Sequence, residues 1–101
     1  MKNLTIVIHA GAQQVLADCL RTLQPVKGFT FTHVEGHSDH SSEDPFLSAR
    51  DKVVGYVPRV RVDVLLADEE VGSVLASLTA QHDLSGQGIY WVTAVEREGR
   101  L

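Results

Sequence analysis

Alternating strand-like and helix-like segments predict an α+β protein in which two helices cover one face of a four-stranded antiparallel sheet. Segments with strand periodicity occupy residues 4–9, 29–35, 53–66 and 89–95, and segments with helical periodicity occupy 12–23 and 68–82. Their order, β-α-β-β-α-β, is that of a ferredoxin-like sandwich. Because a chain of 101 residues is enough for one hydrophobic core and too short for two, we expect a single domain over residues 1–101.

The first half of the chain supplies a strand, a helix and a second strand. Apolar side chains alternate at Leu4, Ile6 and Ile8, which places them on one face of the first strand. The first helix is predicted to end before Pro25, since the residue that precedes a proline disfavours the helical conformation. Gly28 is expected to open the second strand.

The second half supplies the longest strand, a helix and an edge strand. Valines at alternate positions of 53–66 face one way, whereas Arg59, Arg61 and Asp63 face the other, where Asp63 can pair with a neighbouring arginine. Asp68 is predicted to cap the second helix. The segment 83–88 contains two glycines and is expected to form the turn before the last strand.

A long polar segment, residues 36–52, separates the second and third strands. It has neither helical nor strand periodicity over most of its length, so we expect a mobile loop. Loops of this length are uncommon in compact domains and are usually functional.

Apolar residues that fall outside the main apolar face of their strands predict a homo-oligomer. These residues are Val7 on the first strand and Tyr90, Val92 and Ala94 on the last. Because two helices can cover only one face of the sheet, we expect these side chains to be covered by another copy of the chain.

Composition excludes several classes of protein. With 9 Lys and Arg against 13 Asp and Glu, the net charge of −4 argues against a nucleic-acid partner. Cys19 is the single cysteine, which excludes an intramolecular disulfide and fits a reducing compartment. No apolar run approaches the length of a membrane span and no signal peptide is recognisable, so we expect a soluble, cytoplasmic protein. The sequence contains no catalytic motif, and we expect no enzymatic activity.

A histidine cluster at the start of the polar segment is a candidate metal site. His37, Asp39 and His40 lie at loop spacing, and His33 precedes them on the strand. Imidazole nitrogens suit zinc, nickel or copper, and a carboxylate can complete the coordination. The alternative is that these side chains are simply solvated, because no fixed-spacing metal motif is present.

Three stretches of the sequence resemble the P-II signalling proteins. The stretch 28–36 (GFTFTHVEG) is similar to the family's second strand, 53–71 (VVGYVPRVRVDVLLADEEV) to its third strand and second-helix start, and 86–96 (GQGIYWVTAVE) to its glycine turn and last strand. The spacing from Gly36 to Pro58 suits the family's long T-loop without an insertion. The C-terminal sequence YWVTAVEREGRL is closer to a P-II-like branch of unassigned function, commonly encoded beside heavy-metal efflux pumps.

This resemblance implies a trimer whose sheets face its centre and whose ligands bind in clefts between subunits, at the base of the loops. The predicted ligand-binding residues are Thr30, Gly36, His37, Ser38, Arg50, Asp63, Gly86, Gln87 and Gly88. By themselves, Gly86 and Gly88 fit either close backbone approach to an anion or an ordinary helix-to-strand turn.

The chain also departs from the family at nucleotide-binding positions. Ile89 replaces a lysine that reaches the phosphates, His40 replaces a glutamine, and the arginine-rich tail is reduced to Arg97 and Arg100. An adenine nucleotide therefore stays open as the effector, beside a divalent transition metal. Three functions stay open: a trimeric regulator that signals to a partner through its loop, a metal-binding accessory protein of a heavy-metal efflux system, or a structural oligomer without a ligand. A membrane transporter or an efflux pump is the expected partner for the first two.

Overall fold

The computed structural model describes residues 1–38 and 55–101, and within them it has the predicted α+β architecture. The elements are β1 (Lys2–His9), α1 (Gln13–Thr22), β2 (Thr30–Gly36), β3 (Val57–Leu66), α2 (Val71–Thr79) and β4 (Gly88–Ala94). Each predicted strand and helix is present, with ends that differ by a few residues. Most of the predicted loop, and residues 53 and 54 of the predicted third strand, lie outside the described residues.

The four strands form one antiparallel sheet in the order β2-β3-β1-β4. Both helices pack on the same face, so the core consists of side chains such as Leu4 and Val62 from the central strands, Leu16 and Leu20 from α1, and Val74 from α2. Strands β2 and β4 are therefore the two edges of the sheet. None of the helices within 1–38 and 55–101 combines the length and apolar character needed to cross a bilayer.

The start of the second helical segment differs from the prediction. A 3-10 turn, Asp68–Glu70, precedes α2, and the capping hydrogen bond runs from Ala67 N–H to the Glu70 carboxylate at 2.9 Å. Asp68 is not the cap. Its carboxylate lies 3.0 Å from the Met1 ammonium group, because β1 begins beside this turn. The hydrogen bond that the Met1 ammonium group donates to Asp68 is the main cause that holds the pKa of Asp68 below its usual value.

Strand register corrects the predicted grouping of apolar residues. Val7 lies opposite Arg61 and Ile89, on the sheet surface away from the helices, which we call the open face. Tyr90 lies opposite Ile6 and therefore points to the helix side, as do Val92 and Ala94. Alternation within one strand cannot reveal this, since only pairing with β1 decides which set faces the helices.

Strand β4 is poorly covered on both faces. On the helix side, Tyr90 and Val92 are 56% and 39% exposed; on the open face, Ile89 and Trp91 are 61% and 39% exposed. The outer edge of β4 has no neighbouring strand in the described sheet. An apolar edge strand of this kind is normally covered by another chain or by further structure.

Candidate functional site

A polar cluster occupies the centre of the open face, where β1 and β3 pair. The carboxylate of Asp63 accepts hydrogen bonds from Thr5 Oγ1 at 2.8 Å and from Asn3 Nδ2 at 3.1 Å. Arg61 Nε donates to Asp63 Oδ2 at 3.1 Å, and the Arg61 guanidinium lies 5.7 Å from the ring centroid of Trp91. The structure thus confirms that Asp63 pairs with a neighbouring arginine.

These contacts keep Asp63 ionised. Partial burial disfavours the charged carboxylate, but the hydrogen bonds from Arg61, Thr5 and Asn3, together with the charge of Arg61, outweigh it and lower the pKa of Asp63. The cluster is therefore a neutralised pair beside an exposed indole ring. Arg61 is already engaged, so it is not the cation best placed to receive an anionic ligand.

A hydrogen bond between His37 and Gly55 spans the base of the predicted loop. His37 Nδ1 lies 2.8 Å from the backbone carbonyl oxygen of Gly55. Because a carbonyl can only accept, the Nδ1 atom of His37 carries the proton, and in the neutral ring Nε2 keeps its lone pair. The bond joins the end of β2 to the residues that lead into β3.

Arg59 lies directly against this base. A Cβ atom on Gly36 would lie 2.6 Å from Arg59 Cδ and 2.7 Å from Arg59 Nε, so only glycine leaves the arginine in place. The Nε atom of Arg59 is buried and has no hydrogen-bond acceptor among the residues that the structure describes. Among the described residues, Arg59 is therefore a cation beside the loop base whose guanidinium group keeps the capacity to bind an anionic group.

The glycine turn lies at the other edge of the sheet. Gly86 has a φ of +75°, a conformation that other residues rarely adopt. Gly88 packs against β1: a Cβ atom there would clash with Ile8 Cγ2 and lie 2.5 Å from the Val7 carbonyl oxygen. Gln87 N–H donates to Leu84 O at 3.0 Å, which closes the turn.

The predicted ligand-binding residues form three groups within one protomer. Thr30 and Asp63 are paired on β2 and β3, residues 36–38 lie at the end of β2, and residues 86–88 lie at the start of β4. Since β2 and β4 are opposite edges of the sheet, three strand spacings of about 4.8 Å, roughly 14 Å in all, separate the last two groups. One chain does not bring them together.

The predicted metal site is described only in part. His37 is within the described residues, whereas Asp39, His40 and the candidate ligand residue Arg50 are outside them. Among residues 1–38 and 55–101, no group of three or more His, Cys, Asp or Glu side chains is placed to hold a metal ion. His33 lies on β2 opposite Val60, away from Gly55.

Sequence reasoning missed three members of the open-face cluster. Asn3 and Thr5 bind Asp63 only because the β1–β3 register places them beside it. Trp91, whose side chain is partly exposed, lies against Arg61. The one available signal was the polar residues at alternate positions of the otherwise apolar strand β1.

Comparison with known proteins gives consistent matches over the whole chain. Residues 1–101 match the model of a family described as "Protein of unknown function (DUF3240)". The nitrogen regulatory protein P-II of Rhizobium meliloti (strain 1021) is 30% identical over 103 residues, covering 100% of this chain and 91% of that protein. The nitrogen regulatory protein GlnK of Escherichia coli (strain K12) is 24% identical with the same coverage.

A solved structure shares the fold. The crystal structure of a DUF3240 family protein from Shewanella baltica OS155 superimposes with a TM-score of 0.76, covering 99% of this chain and 94% of that chain. Sequence identity between the two is 17%. The ferredoxin-like arrangement predicted from the order of the elements is therefore confirmed.

Proposed function

Because this chain belongs to the DUF3240 family and, more broadly, to the P-II signalling proteins, we propose that it is a trimeric regulator rather than an enzyme. A small effector binds in clefts between its subunits and changes how the loop at residues 36–52 docks on a partner protein. An adenine nucleotide is the first effector to test. The regulatory class itself follows from the family; the effector, the trimer and the cytoplasmic location are our proposal.

The proposal depends on the distance between two groups of predicted ligand-binding residues, which we call the β2 half-site and the β4 half-site. Residues 36–38, with Arg59, lie at the β2 edge, and residues 86–88 lie at the β4 edge, roughly 14 Å away. A closed ring of copies brings the β2 edge of one chain beside the β4 edge of the next. The same arrangement covers the apolar side chains of β4, which are exposed in a single chain.

Arg59 defines the chemistry of the effector in this proposal. Its buried Nε has no acceptor among the described residues, and the adjacent loop base is held by the His37–Gly55 hydrogen bond. A carboxylate or phosphate oxygen would complete this site with charge-assisted hydrogen bonds. Ile89 supplies no second cation at the glycine turn, so we expect weaker binding than a phosphate site with two cations would give.

Calorimetric titration with ATP, ADP and AMP tests effector binding. We expect saturable heat with at least one nucleotide, and at least a tenfold loss of affinity in Arg59→Ala, since one charge-assisted hydrogen bond is worth roughly 1.5–3 kcal/mol. Arg21→Ala is the matched control, because Arg21 pairs with Asp18 on α1. Absence of heat with all three nucleotides at millimolar concentration rejects nucleotide binding.

Mixed assemblies test whether two chains share the site. Arg59→Ala damages the β2 half-site and Gly86→Val damages the β4 half-site, so each variant alone should bind at least tenfold more weakly than the unmodified chain. In a trimer refolded from an equal mixture, about one quarter of the clefts combine two intact halves, and that fraction of tight binding should return. If tight binding does not return, the shared site is rejected. Light scattering gives the mass, expected to be three times the 11.1 kDa of one chain.

The His37 geometry supports metal binding, on which our second candidate function, an accessory protein of a heavy-metal efflux system, depends. Histidines that bind metals commonly donate their other ring N–H to a backbone carbonyl, as His37 does to Gly55. His37 Nε2, with Asp39 and His40, would provide the donors. Titration with Zn²⁺, Ni²⁺ and Cu²⁺ tests this function: binding lost in His37→Ala and His40→Ala but retained in His33→Ala supports it, and equal binding in all three variants rejects it.

A further inference from the structure

A pocket of about 150 Å³, open to solvent on one side, lies on the helix side of the sheet, beneath the turn formed by residues 84–88. Its deep wall consists of the buried side chains of Ile6, Leu16, Leu78 and Leu84, which come from β1, both helices and the turn. Tyr90 of β4 lines it on the exposed side. We call this space the turn cavity.

The walls of the turn cavity determine what it can hold. None of the described residues that line it is charged, and its deep residues are aliphatic, so its interior suits an uncharged, largely apolar ligand. An ionised ligand would lose its hydration without compensation.

Polar groups are confined to the exposed residues of the lining. Thr79, Ser85 and Tyr90 carry hydroxyl groups and are exposed, in contrast to the buried aliphatic wall. Pockets for small molecules commonly combine an apolar interior with a few polar groups that fix orientation. The lining therefore suits a ring with one uncharged polar substituent directed outward.

Local hydrogen bonds form the wall in advance of any ligand. Leu84 N–H and Ser85 N–H donate to the Gln81 carbonyl oxygen at 3.1 and 3.0 Å, and Gln87 N–H donates to Leu84 O at 3.0 Å. Leu84 is consequently fixed against Leu78 and Leu16 within the same core cluster. A site with preformed walls loses little free energy to ordering when it binds.

We propose that the turn cavity binds a small neutral aromatic or similarly shaped apolar molecule that carries one hydroxyl or amide group. This site shares Gly86 and Gly88 with the β4 half of the proposed effector site but extends to the helix side of the sheet, whereas Arg59 lies on a β3 position that faces the other way. The two sites therefore recognise different chemistry, one a neutral ring and the other an anion.

Phenol is the probe, titrated into the full chain while the methyl signals of Ile6, Leu16 and Leu78 are followed by NMR. We expect saturable shifts at these methyls and at least tenfold weaker binding of benzoate, which has a similar ring but a charge. Leu75→Trp fills the cavity from α2 and should weaken phenol binding at least tenfold. Leu101→Trp adds the same ring at an exposed position and should bind phenol as the unmodified chain does.

If Leu75→Trp does not fold, a second variant tests whether phenol binds in the turn cavity. Ser85→Phe places a ring at an exposed position of the lining and should also weaken phenol binding at least tenfold. The proposal is overturned if phenol gives no saturable shift up to its solubility limit. It is equally overturned if a folded cavity-filling variant binds as tightly as Leu101→Trp, or if the saturable shifts fall on Val7 and Leu65 of the open face. None of these measurements involves a nucleotide, so they stand apart from the test of the proposed function.

Discussion

The imidazole of His37 donates a 2.8 Å hydrogen bond to the backbone carbonyl of Gly55, and this bond joins two residues 18 positions apart in the chain. It fixes the distance between the end of β2 and the approach to β3. Arg59 lies against the same base through its contact with Gly36.

Loss of this bond should loosen the base without unfolding the domain. His37→Ala is expected to lower the free energy of unfolding by no more than about 1 kcal/mol, because His37 is exposed. Amide exchange at residues 55–57 should nevertheless become several-fold faster. His33→Ala, an exposed histidine on β2, is the control and should leave exchange there unchanged. Unchanged exchange in His37→Ala would contradict the role of the bond.

Replacement of Asp63 should destabilise the chain in a pH-dependent manner. Asp63→Asn removes the charge that Arg61, Thr5 and Asn3 stabilise, and we expect a loss of about 1–3 kcal/mol at pH 7. Because folding lowers the pKa of Asp63, its stabilising contribution is present above the carboxyl pKa of the unfolded chain, about 3.9, and is lost as the pH falls through the lower folded value.

Urea unfolding at pH 7, 5 and 3 provides the measurement. The free energy of unfolding of Asp63→Asn should fall below that of the unmodified chain by the same amount at pH 7 and 5, and by a smaller amount at pH 3. Asp83→Asn, which changes an exposed aspartate in the turn after α2, should show only a small difference at every pH. If the loss of unfolding free energy in Asp63→Asn is as large at pH 3 as at pH 7, an ionised Asp63 carboxylate is not what stabilises the chain.

Two glycine substitutions should change stability in opposite directions. A Cβ atom on Gly88 meets the β1 backbone, 2.5 Å from Val7 O, so Gly88→Ala should destabilise by about 1–3 kcal/mol. Gly72 lies inside α2 with open space around it, and Gly72→Ala should stabilise by up to about 1 kcal/mol through helix propensity. Thermal or urea unfolding compares the two directly. A Gly88→Ala variant as stable as the unmodified chain would show that the Gly88 contact is relieved at little cost, and a less stable Gly72→Ala would contradict the helix-propensity argument.

His9 should behave as a helix cap. Its Nδ1 accepts the Gly11 N–H at 2.9 Å at the start of the turn that leads into α1. His9→Ala removes this acceptor and should lower the free energy of unfolding by about 1 kcal/mol. His9→Asn keeps a side-chain oxygen that can accept the same hydrogen bond, and should lower it clearly less. Urea unfolding at pH 7 distinguishes them, and equal losses would assign the effect to burial of the ring instead.

Local patterns in the sequence were sufficient to predict the strands and helices of the fold. Alternating Leu4, Ile6 and Ile8, the helical spacing through Leu16 and Leu20, and the stop before Pro25 depend on neighbours within a few residues, and the structure confirms those elements. The side chains of Arg59, Arg61 and Asp63 share one face for the same reason, since alternation within one strand is independent of its partners.

Tertiary structure decided everything that depends on which strands pair and in which register. Pairing with β1 placed Tyr90 on the helix side, and pairing of β1 with β3 gave Asp63 its partners Asn3 and Thr5. The strand order then put Gly36 and Gly88 at opposite edges of the sheet. A one-residue shift in the pairing of a strand would move its apolar side chains from the helix side to the open face, although the sequence pattern of that strand would be unchanged. Only the burial of apolar side chains in the assembled core therefore selects the register.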